Sequence, residues 1–267
     1  MPSGSQDLGT GYNNATTESL GLISGATGGS PQGIYEESST QEYPIGTKRE
    51  FEDGRVFRYA SFAAACNAGI LVSQDVSATS ITEQDGKLTA AAIGATEVTY
   101  TDSGTVGSAT ANQYAGGYLH ITDDAGEGYQ YRIKSNTAAS SNAVTFTLYD
   151  GLVVAVTTAT DVAVTGNLYN QVRGADFTDG SKVDCTVAGV TARSFTSGYY
   201  GWIQTNGVAT VLSDGAIAYG VMVAGSDGVV GAVHTADTDA LEIVVGYSTM
   251  ESDNAGHVGV NLTGIST

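Results

Sequence analysis

Short apolar strands that end at turn residues make up most of the hydrophobic and polar pattern of this chain. The densest stretch is Gly198–Gly259, which also contains the single tryptophan, Trp202. Asn206-Gly207 predicts a two-residue hairpin between strands at 199–205 and 208–212, because this pair favours the turns that join antiparallel strands. The stretch therefore reads as a set of short strands joined by tight turns.

Two further runs in this stretch, at 218–223 and 241–246, are almost continuously apolar. Such runs are typical of strands that are buried on both faces. We expect both to lie inside the core.

The region 83–165 has the same character, with regularly spaced strands separated by glycine-rich and acidic turns. Strands are predicted at 97–101, 117–122, 129–134, 144–148 and 162–164. Within the third of these, alternation places Tyr129, Tyr131 and Ile133 on one face. This spacing indicates a small β-sandwich or barrel.

Residues 34–82 contain a predicted hairpin at Asp53-Gly54, which is followed by an alanine-rich segment at 61–68. That segment is compatible with one or two helical turns that end at Gly69. A strand is predicted at 70–72. Residues 1–33, rich in glycine, serine and threonine, have too little apolar surface to fold alone, so they are expected to be either a disordered tail or an arm that orders on a partner.

Composition supports a β-rich chain. Glycine is abundant at 36 residues and proline rare at 3, while charged residues make up only 14%. Long amphipathic helices need more leucine, glutamate and lysine than this. We therefore expect an all-β protein with a discontinuous core at 34–82 plus 166–267, an inserted β-domain at 83–165 and an extended arm at 1–33.

The net charge of −18 argues against nucleic acid as a direct partner, because phosphate binding needs basic groups. We expect no membrane partner, since no stretch approaches the ~20 apolar residues of a membrane helix. The N-terminus shows no basic region followed by an apolar run, so we expect no secretory signal. We therefore expect the protein to be made in the cytoplasm.

Catalytic motifs are not found. The three histidines, His120, His234 and His257, have no motif serine or cysteine beside them, and neither G-x-S-x-G nor H-E-x-x-H occurs. The acidic segments 123–127 and 237–239 offer oxygen ligands but lack the twelve-residue calcium-loop spacing. We expect no enzyme activity, no catalytic residue, no metal and no cofactor.

The two cysteines, Cys66 and Cys185, lie far apart and form no CxxC pair, which argues against a structural zinc site. Buried free thiols are the expected state, and a long-range disulfide stays open.

Four of the ten basic residues fall in one short hairpin: Lys48, Arg49, Arg55 and Arg58. Pairing with the neighbouring glutamates would explain them. A charged patch that meets another protein surface is the alternative explanation.

The segment Asp53–Ala60, with the alanine-rich sequence and Gly69–Val72 after it, resembles the opening of tailed-bacteriophage capsid decoration, or cement, proteins. The run Tyr200–Gly207 and the glycine-rich strands through Tyr247 are similar to the same group. Segments 112–119 and 148–152 look like parts of uncharacterised virion proteins of environmental phages. The resemblance spans most of 45–267, although its motifs are patterns of glycine and aromatic residues.

This resemblance implies a glycine-rich β-barrel or sandwich core, described as β-tulip-like, on the outer surface of an icosahedral capsid. It implies binding to the major capsid protein of the same virion, stabilisation of the shell, and assembly as a homotrimer. The chain departs from short family members by carrying 83–165, which leaves its oligomeric state open. We expect capsid contact through the arm, at Leu20, Leu22 and Ile23, and through Lys48, Arg49, Arg55 and Arg58.

Two rival functions are kept. The first is a carbohydrate-binding, head-fibre-like module for attachment to host surfaces, which would need exposed aromatic rings such as Tyr114, Tyr118 and Tyr129. The second is a hydrolase that uses a non-standard acidic pair, Asp123 and Asp124.

Overall fold

The computed structural model describes residues 22–23, 32–75, 80–84, 86–102, 104, 106–178, 186–237, 242–253, 255–263 and 265. Every regular element in these ranges is a β-strand, and none of the described residues is helical. The prediction of an all-β protein is therefore confirmed.

Twelve of the strands form one large sheet system. They are β1 (Leu22–Ile23), β2 (Glu37–Ser38), β3 (Lys48–Glu50), β4 (Val56–Ser61), β5 (Leu71–Gln74), β12 (Val172–Gly174), β13 (Val187–Thr191), β14 (Tyr200–Asp214), β15 (Met222–Gly225), β16 (Val233–Thr235), β17 (Val244–Ser248) and β18 (Ala255–Leu262).

The other six strands form a second sheet, in the order β6-β11-β8-β9-β10-β7. They are β6 (Ile81–Gln84), β7 (Glu97–Thr101), β8 (Tyr118–Asp123), β9 (Gln130–Asn136), β10 (Ala143–Leu148) and β11 (Asp161–Thr165). All five strands predicted between 83 and 165 are present. The strands of the second sheet span residues 81–165, so the sheet begins two residues before the predicted boundary at 83. The division into domains stays a prediction.

Five strands of the larger system, β14, β16, β15, β17 and β18, close into a barrel. Closure is completed by the long antiparallel pairing of β14 with β18, from Gly207↔Leu262 to Asp214↔Ala255. The inward positions are apolar and fully buried, as at Val211, Val245 and Val260. Each such side chain contributes about 1.5–3 kcal/mol through burial.

Strand β14 is the central element, and it corrects the predicted hairpin. Asn206-Gly207 lies in the middle of one continuous strand, at a β-bulge between Gln204 and Asn206. Gly207 has φ +80°, a conformation that glycine adopts without a Cβ penalty. The pair therefore bends the strand instead of reversing it. Residues up to Asn206 pair with β4, and residues from Gly207 onward pair with β18.

The first half of β14 is buried on both faces. Trp202 packs with Tyr59 and Phe57 in one core cluster. The next residue, Ile203, points the other way and packs with Phe62 and Phe195 in another. A strand that separates two cores explains why its sequence shows no polar alternation.

The second sheet packs its own core. Tyr131 and Ile133 are buried on the inner face of β9, as their alternation predicts. Tyr129 precedes the strand and is exposed. The same core contains Tyr100 of β7 and Phe146 of β10, two strands that pair with each other.

The alanine-rich segment 61–68 is not helical, so that prediction is wrong. Cys66 instead forms an antiparallel bridge with Phe195, in which each backbone N–H donates to the partner's carbonyl. Tertiary pairing overrides the helical preference of alanine here. The hairpin predicted at Asp53-Gly54 is confirmed: the Phe51 amide donates to the Arg55 carbonyl at 2.9 Å, and Gly54 has φ +85°.

Candidate functional site

The outer face of the barrel carries one row of side chains across four neighbouring strands. Val208 on β14 pairs with Asn261 on β18, Asn261 pairs with Tyr247 on β17, and Tyr247 pairs with Met222 on β15. Because directly opposed residues of antiparallel strands point to the same side, these four side chains share one face. We call them the barrel row.

The apolar members of the barrel row are strongly exposed: Val208 by 56%, Tyr247 by 47% and Met222 by 45%. Met250 and Tyr219 are also exposed. Met250 lies on the same face, since its Cγ would be 3.1 Å from a Cβ built at Gly259, two residues from Asn261. Large apolar side chains gathered on one exposed face mark a contact surface for another protein.

This exposure corrects the expectation that the runs at 218–223 and 241–246 are buried on both faces. Within these runs Val223 and Val245 do point into the barrel. Tyr219 and Met222, together with Tyr247 one residue beyond the second run, point outward. The barrel has a single core on its inner side, so Met222 faces solvent next to the inward Val223. In β17 a register shift against β15 separates the inward Val245 from the outward Tyr247.

A surface cavity of about 490 Å³ adjoins the barrel row. Its wall includes Val208 and Thr210 from β14, His257 from β18, and Tyr35 and Arg55 from the neighbouring loops. Position 69 in this wall requires glycine for two reasons. Its φ is +70°, and a Cβ there would lie 2.8 Å from the His257 ring. The cavity gives this face a recess into which a side chain can insert.

Two of the predicted capsid-contact residues, Lys48 and Arg55, lie on the surface of the β3–β4 hairpin. Lys48 Nζ is 3.0 Å from Glu50, and Arg55 Nε is 2.6 Å from Asp53. Each is therefore paired within the hairpin itself. Exposed pairs of this kind contribute only about 0–1 kcal/mol, so either cation can exchange its partner at low cost.

Arg49 cannot make the predicted surface contact, because its side chain is completely buried. The guanidinium lies 4.4 Å from the centroid of the Trp202 ring, and all three of its nitrogens lack a hydrogen-bond partner in the described part of the chain. Desolvation by burial lowers the pKa of Arg49 from its ordinary value, against opposing effects from Tyr43 and Glu36. The residue points inward because Arg49 pairs with Phe57, which faces the same core.

Arg58, the fourth hairpin cation, is half-buried. Its Nη1 donates to the Gly46 carbonyl at 3.0 Å, and its guanidinium lies 5.7 Å from the Tyr169 ring centroid. Arg58 is opposed to Lys48 in the β3–β4 register, so it lies on the same side of the hairpin, and it lines a cavity together with Tyr118 and Arg132 of the second sheet.

The predicted arm is represented by Leu22 and Ile23, which form β1 against β3 of the same chain, with Ile23 opposite Arg49. Leu20 lies outside the described residues. The short strand extends the edge of the sheet by backbone hydrogen bonding, the mode by which extended segments add to an exposed edge.

The structure separates the three tyrosines predicted to face a glycan. Tyr114 is only 2% exposed and packs edge-on against Phe146, so the expectation that it faces a ligand is wrong. Tyr118 and Tyr129 are exposed by 38% and 41%. Tyr114 is buried because its loop closes over the core of the second sheet, with its amide bonded to the Asn136 side chain.

The candidate titratable groups do not form a catalytic constellation among the described residues. His120 Nε2 lies 2.9 Å from the Thr165 hydroxyl, and His234 Nε2 lies 3.3 Å from Glu242. No serine or cysteine nucleophile is bonded to a histidine, and no cluster of three metal-ligating side chains occurs, within the described ranges. Asp123 caps its own turn by accepting the Asp124 amide, while Asp239 lies outside the described residues.

Cys66 is buried and free, and burial raises the pKa of its thiol to about 11. Its candidate partner, Cys185, lies outside the described residues.

Sequence reasoning missed Val208, Tyr247 and Met222, because they become neighbours only through the pairing of distant strands. At Met222 the available signal was alternation, since its neighbour Val223 is the inward member of the same strand. At Tyr247 alternation gives no such signal, because a register shift against β15 turns Val245 inward although it lies only two residues away. Alternation alone does not say which of two apolar positions faces the core.

No known protein family, curated protein or solved structure matches this chain. Within the described residues, no helix is long and apolar enough to cross a membrane.

Proposed function

We propose that this chain is a non-enzymatic virion structural protein, which binds the outer surface of an icosahedral phage capsid and stabilises it. The observation that carries the proposal is the barrel row, an exposed apolar surface on an otherwise strongly acidic protein. A chain with net charge −18 repels copies of itself at random contacts, so an apolar face on it favours one specific partner.

The geometry suits a docking surface. Val208, Tyr247 and Met222 sit on barrel strands, and the cavity beside Val208 offers a recess for a partner's side chain. Aromatic residues and methionine are enriched at protein interfaces, where they supply contact area. Lys48 and Arg55 lie on the hairpin and supply cations for acidic groups of the partner.

The partner we propose is the major capsid protein of the same virion. The chain would be made in the host cytoplasm and carried on the outer capsid surface. This choice of partner, and assembly as a homotrimer, rest on the sequence resemblance to capsid decoration proteins. Many copies on one shell would add stability through repeated weak contacts.

The test is co-sedimentation of the purified chain with empty capsids assembled from that major capsid protein. We expect saturable binding by the wild type and a loss of at least about tenfold in affinity for the double substitution Met222→Glu with Tyr247→Glu, because two charges would be desolvated in the contact. Ile93→Glu is the matched control, since Ile93 is 69% exposed in the turn before β7, outside the barrel.

Removing residues 1–33 tests the arm separately. A further loss of binding would add the arm to the contact, whereas unchanged binding would confine the contact to the barrel and the hairpin. Equal binding by the double variant and the control would contradict the role of the barrel row. No binding by the wild type would contradict the proposed function.

A further inference from the structure

A second surface, which differs in its chemistry from the barrel row, lies where the two sheets meet. Two adjoining cavities of about 550 and 580 Å³ open there, and both are lined by Ile45, Gly116, Arg132 and Asn167. Each has the volume of an ordinary ligand pocket. We call this continuous depression the intersheet cleft.

The intersheet cleft is positively charged in a chain that is otherwise acidic. Its lining includes Arg132, Lys134 and Arg58 but no aspartate or glutamate of the described residues. The chain has 28 acidic and 10 basic residues, so a lining with three bases and no acids departs strongly from the average surface. A site of this sign attracts anions and repels the protein's own acidic neighbours.

Two of these cations are available to a ligand. Arg132 and Lys134 stand on the exposed face of β9, alternating with the buried Tyr131 and Ile133. No carboxylate of the described chain lies within ion-pairing distance of either. The Arg132 guanidinium lies 5.0 Å from the Tyr149 ring centroid, and this stacking orients its donors.

The lining of the intersheet cleft also includes aromatic rings and side-chain amides. Tyr149 is 54% exposed and Tyr118 38% exposed, so both present ring surface to a ligand. Asn167 and Asn170 are fixed by hydrogen bonds to the carbonyls of Ile45 and Gln113, at 3.1 and 3.0 Å. These bonds hold the two sheets together at the base of the cleft.

Two cleft residues also adopt unusual backbone conformations. Asn112 has φ +63° and Gln171 has φ +59°. Non-glycine residues in this region cost free energy and concentrate at ligand-binding positions. Both residues line the same cavity.

From these observations we infer that the intersheet cleft binds an acidic saccharide, with a sugar carboxylate on Arg132 and Lys134. A sugar ring presents a C–H face that packs on tyrosine, and hydroxyl groups that exchange hydrogen bonds with amides, which both donate and accept. A carboxylate matches the two parallel donors of an arginine. The inference concerns a different surface from the barrel row and does not depend on capsid binding.

The experiment is isothermal titration of the full-length chain, at low salt, with trimers of galacturonate, mannuronate and guluronate. Maltotriose is the neutral control, and a glutamate hexapeptide represents an acidic protein segment. We expect at least one uronate trimer to bind, maltotriose to bind at least about tenfold more weakly, and affinity to fall as salt rises.

Two substitutions test the placement. Arg132→Gln should weaken uronate binding by about tenfold or more, because a charge-assisted hydrogen bond is lost. Tyr149→Ser should weaken it through loss of ring contact and of the support for Arg132. Arg173→Gln is the matched control, since Arg173 is a half-exposed cation that does not line the cleft, and it should leave the affinity within about twofold.

Circular dichroism confirms that each variant is folded. The inference is overturned if no uronate binds, if Arg132→Gln binds as the wild type does, or if the glutamate peptide binds and the uronates do not. The last outcome would reassign the intersheet cleft to an acidic protein partner. None of these outcomes involves capsids, so the decoration proposal is tested independently.

Discussion

Arg49 offers the sharpest stability prediction in this protein. Its guanidinium is fully buried over Trp202, and none of its nitrogens is hydrogen-bonded in the described part of the chain. Burying a cation costs several kcal/mol in a real protein, even after relaxation. Stacking on a tryptophan returns about 2 kcal/mol when both groups are desolvated, which leaves a net penalty.

Arg49→Met removes that penalty while largely filling the space, and its sulfur keeps a contact with the indole worth about 0.3–1.5 kcal/mol. We therefore expect the free energy of unfolding to rise by about 1–3 kcal/mol. The lowered pKa of Arg49 predicts the same direction of change in stability. Below that pKa the guanidinium is charged in both the folded and the unfolded protein, but only the folded protein bears the cost of its desolvation.

The assay is denaturant unfolding followed by Trp202 fluorescence, with thermal unfolding as a second readout at about 2–4 °C for each kcal/mol. Arg49→Ala should be less stable than Arg49→Met by about 2–4 kcal/mol, because it leaves a cavity. Lys48→Met, on the exposed side of the same strand, is the control and should change stability by less than about 1 kcal/mol. A loss of more than 1 kcal/mol for Arg49→Met would refute the reasoning, since it would mean that the guanidinium has a strong partner.

The remaining predictions concern packing and alkaline stability. Gly201→Ala should lower the free energy of unfolding by about 2–3 kcal/mol, because the new Cβ would overlap the Phe195 ring. Gly256 has open space around it, so Gly256→Ala should be nearly neutral in the same denaturant assay. Stability should also fall as pH rises from about 9 to 12, because burial raises the pKa of Cys66 to about 11 and of Tyr59 to about 12. Each raised pKa contributes stability that is complete below the unfolded value and is lost as pH rises through the folded one; constant stability over this range would contradict the buried, protonated state of both groups.

Strand positions could be predicted from the sequence where apolar and polar residues alternate around a single core. Tyr131 and Ile133 are inward on β9 for this reason. The alternation failed where partners come from distant segments. Asn206-Gly207 has the composition of a hairpin turn, yet β4 on one side and β18 on the other keep the strand continuous through a bulge.

The surfaces were harder to predict than the strands, because both depend on long-range pairing. Arg49 belonged to a visible basic cluster, but its inward direction follows from its register with Phe57. Met222 lies in a run predicted to be core, and only the pairing within the barrel places it outside, opposite Tyr247. The intersheet cleft combines Arg58 and Arg132, which are far apart in the chain and carry no local motif.

The central claim is tested most directly by the temperature at which empty capsids disassemble, with and without saturating amounts of this chain. We predict that the wild type raises that temperature, and that the Met222→Glu, Tyr247→Glu double variant at the same concentration raises it much less. An unchanged disassembly temperature with the wild type, or an equal rise with the double variant, would contradict it.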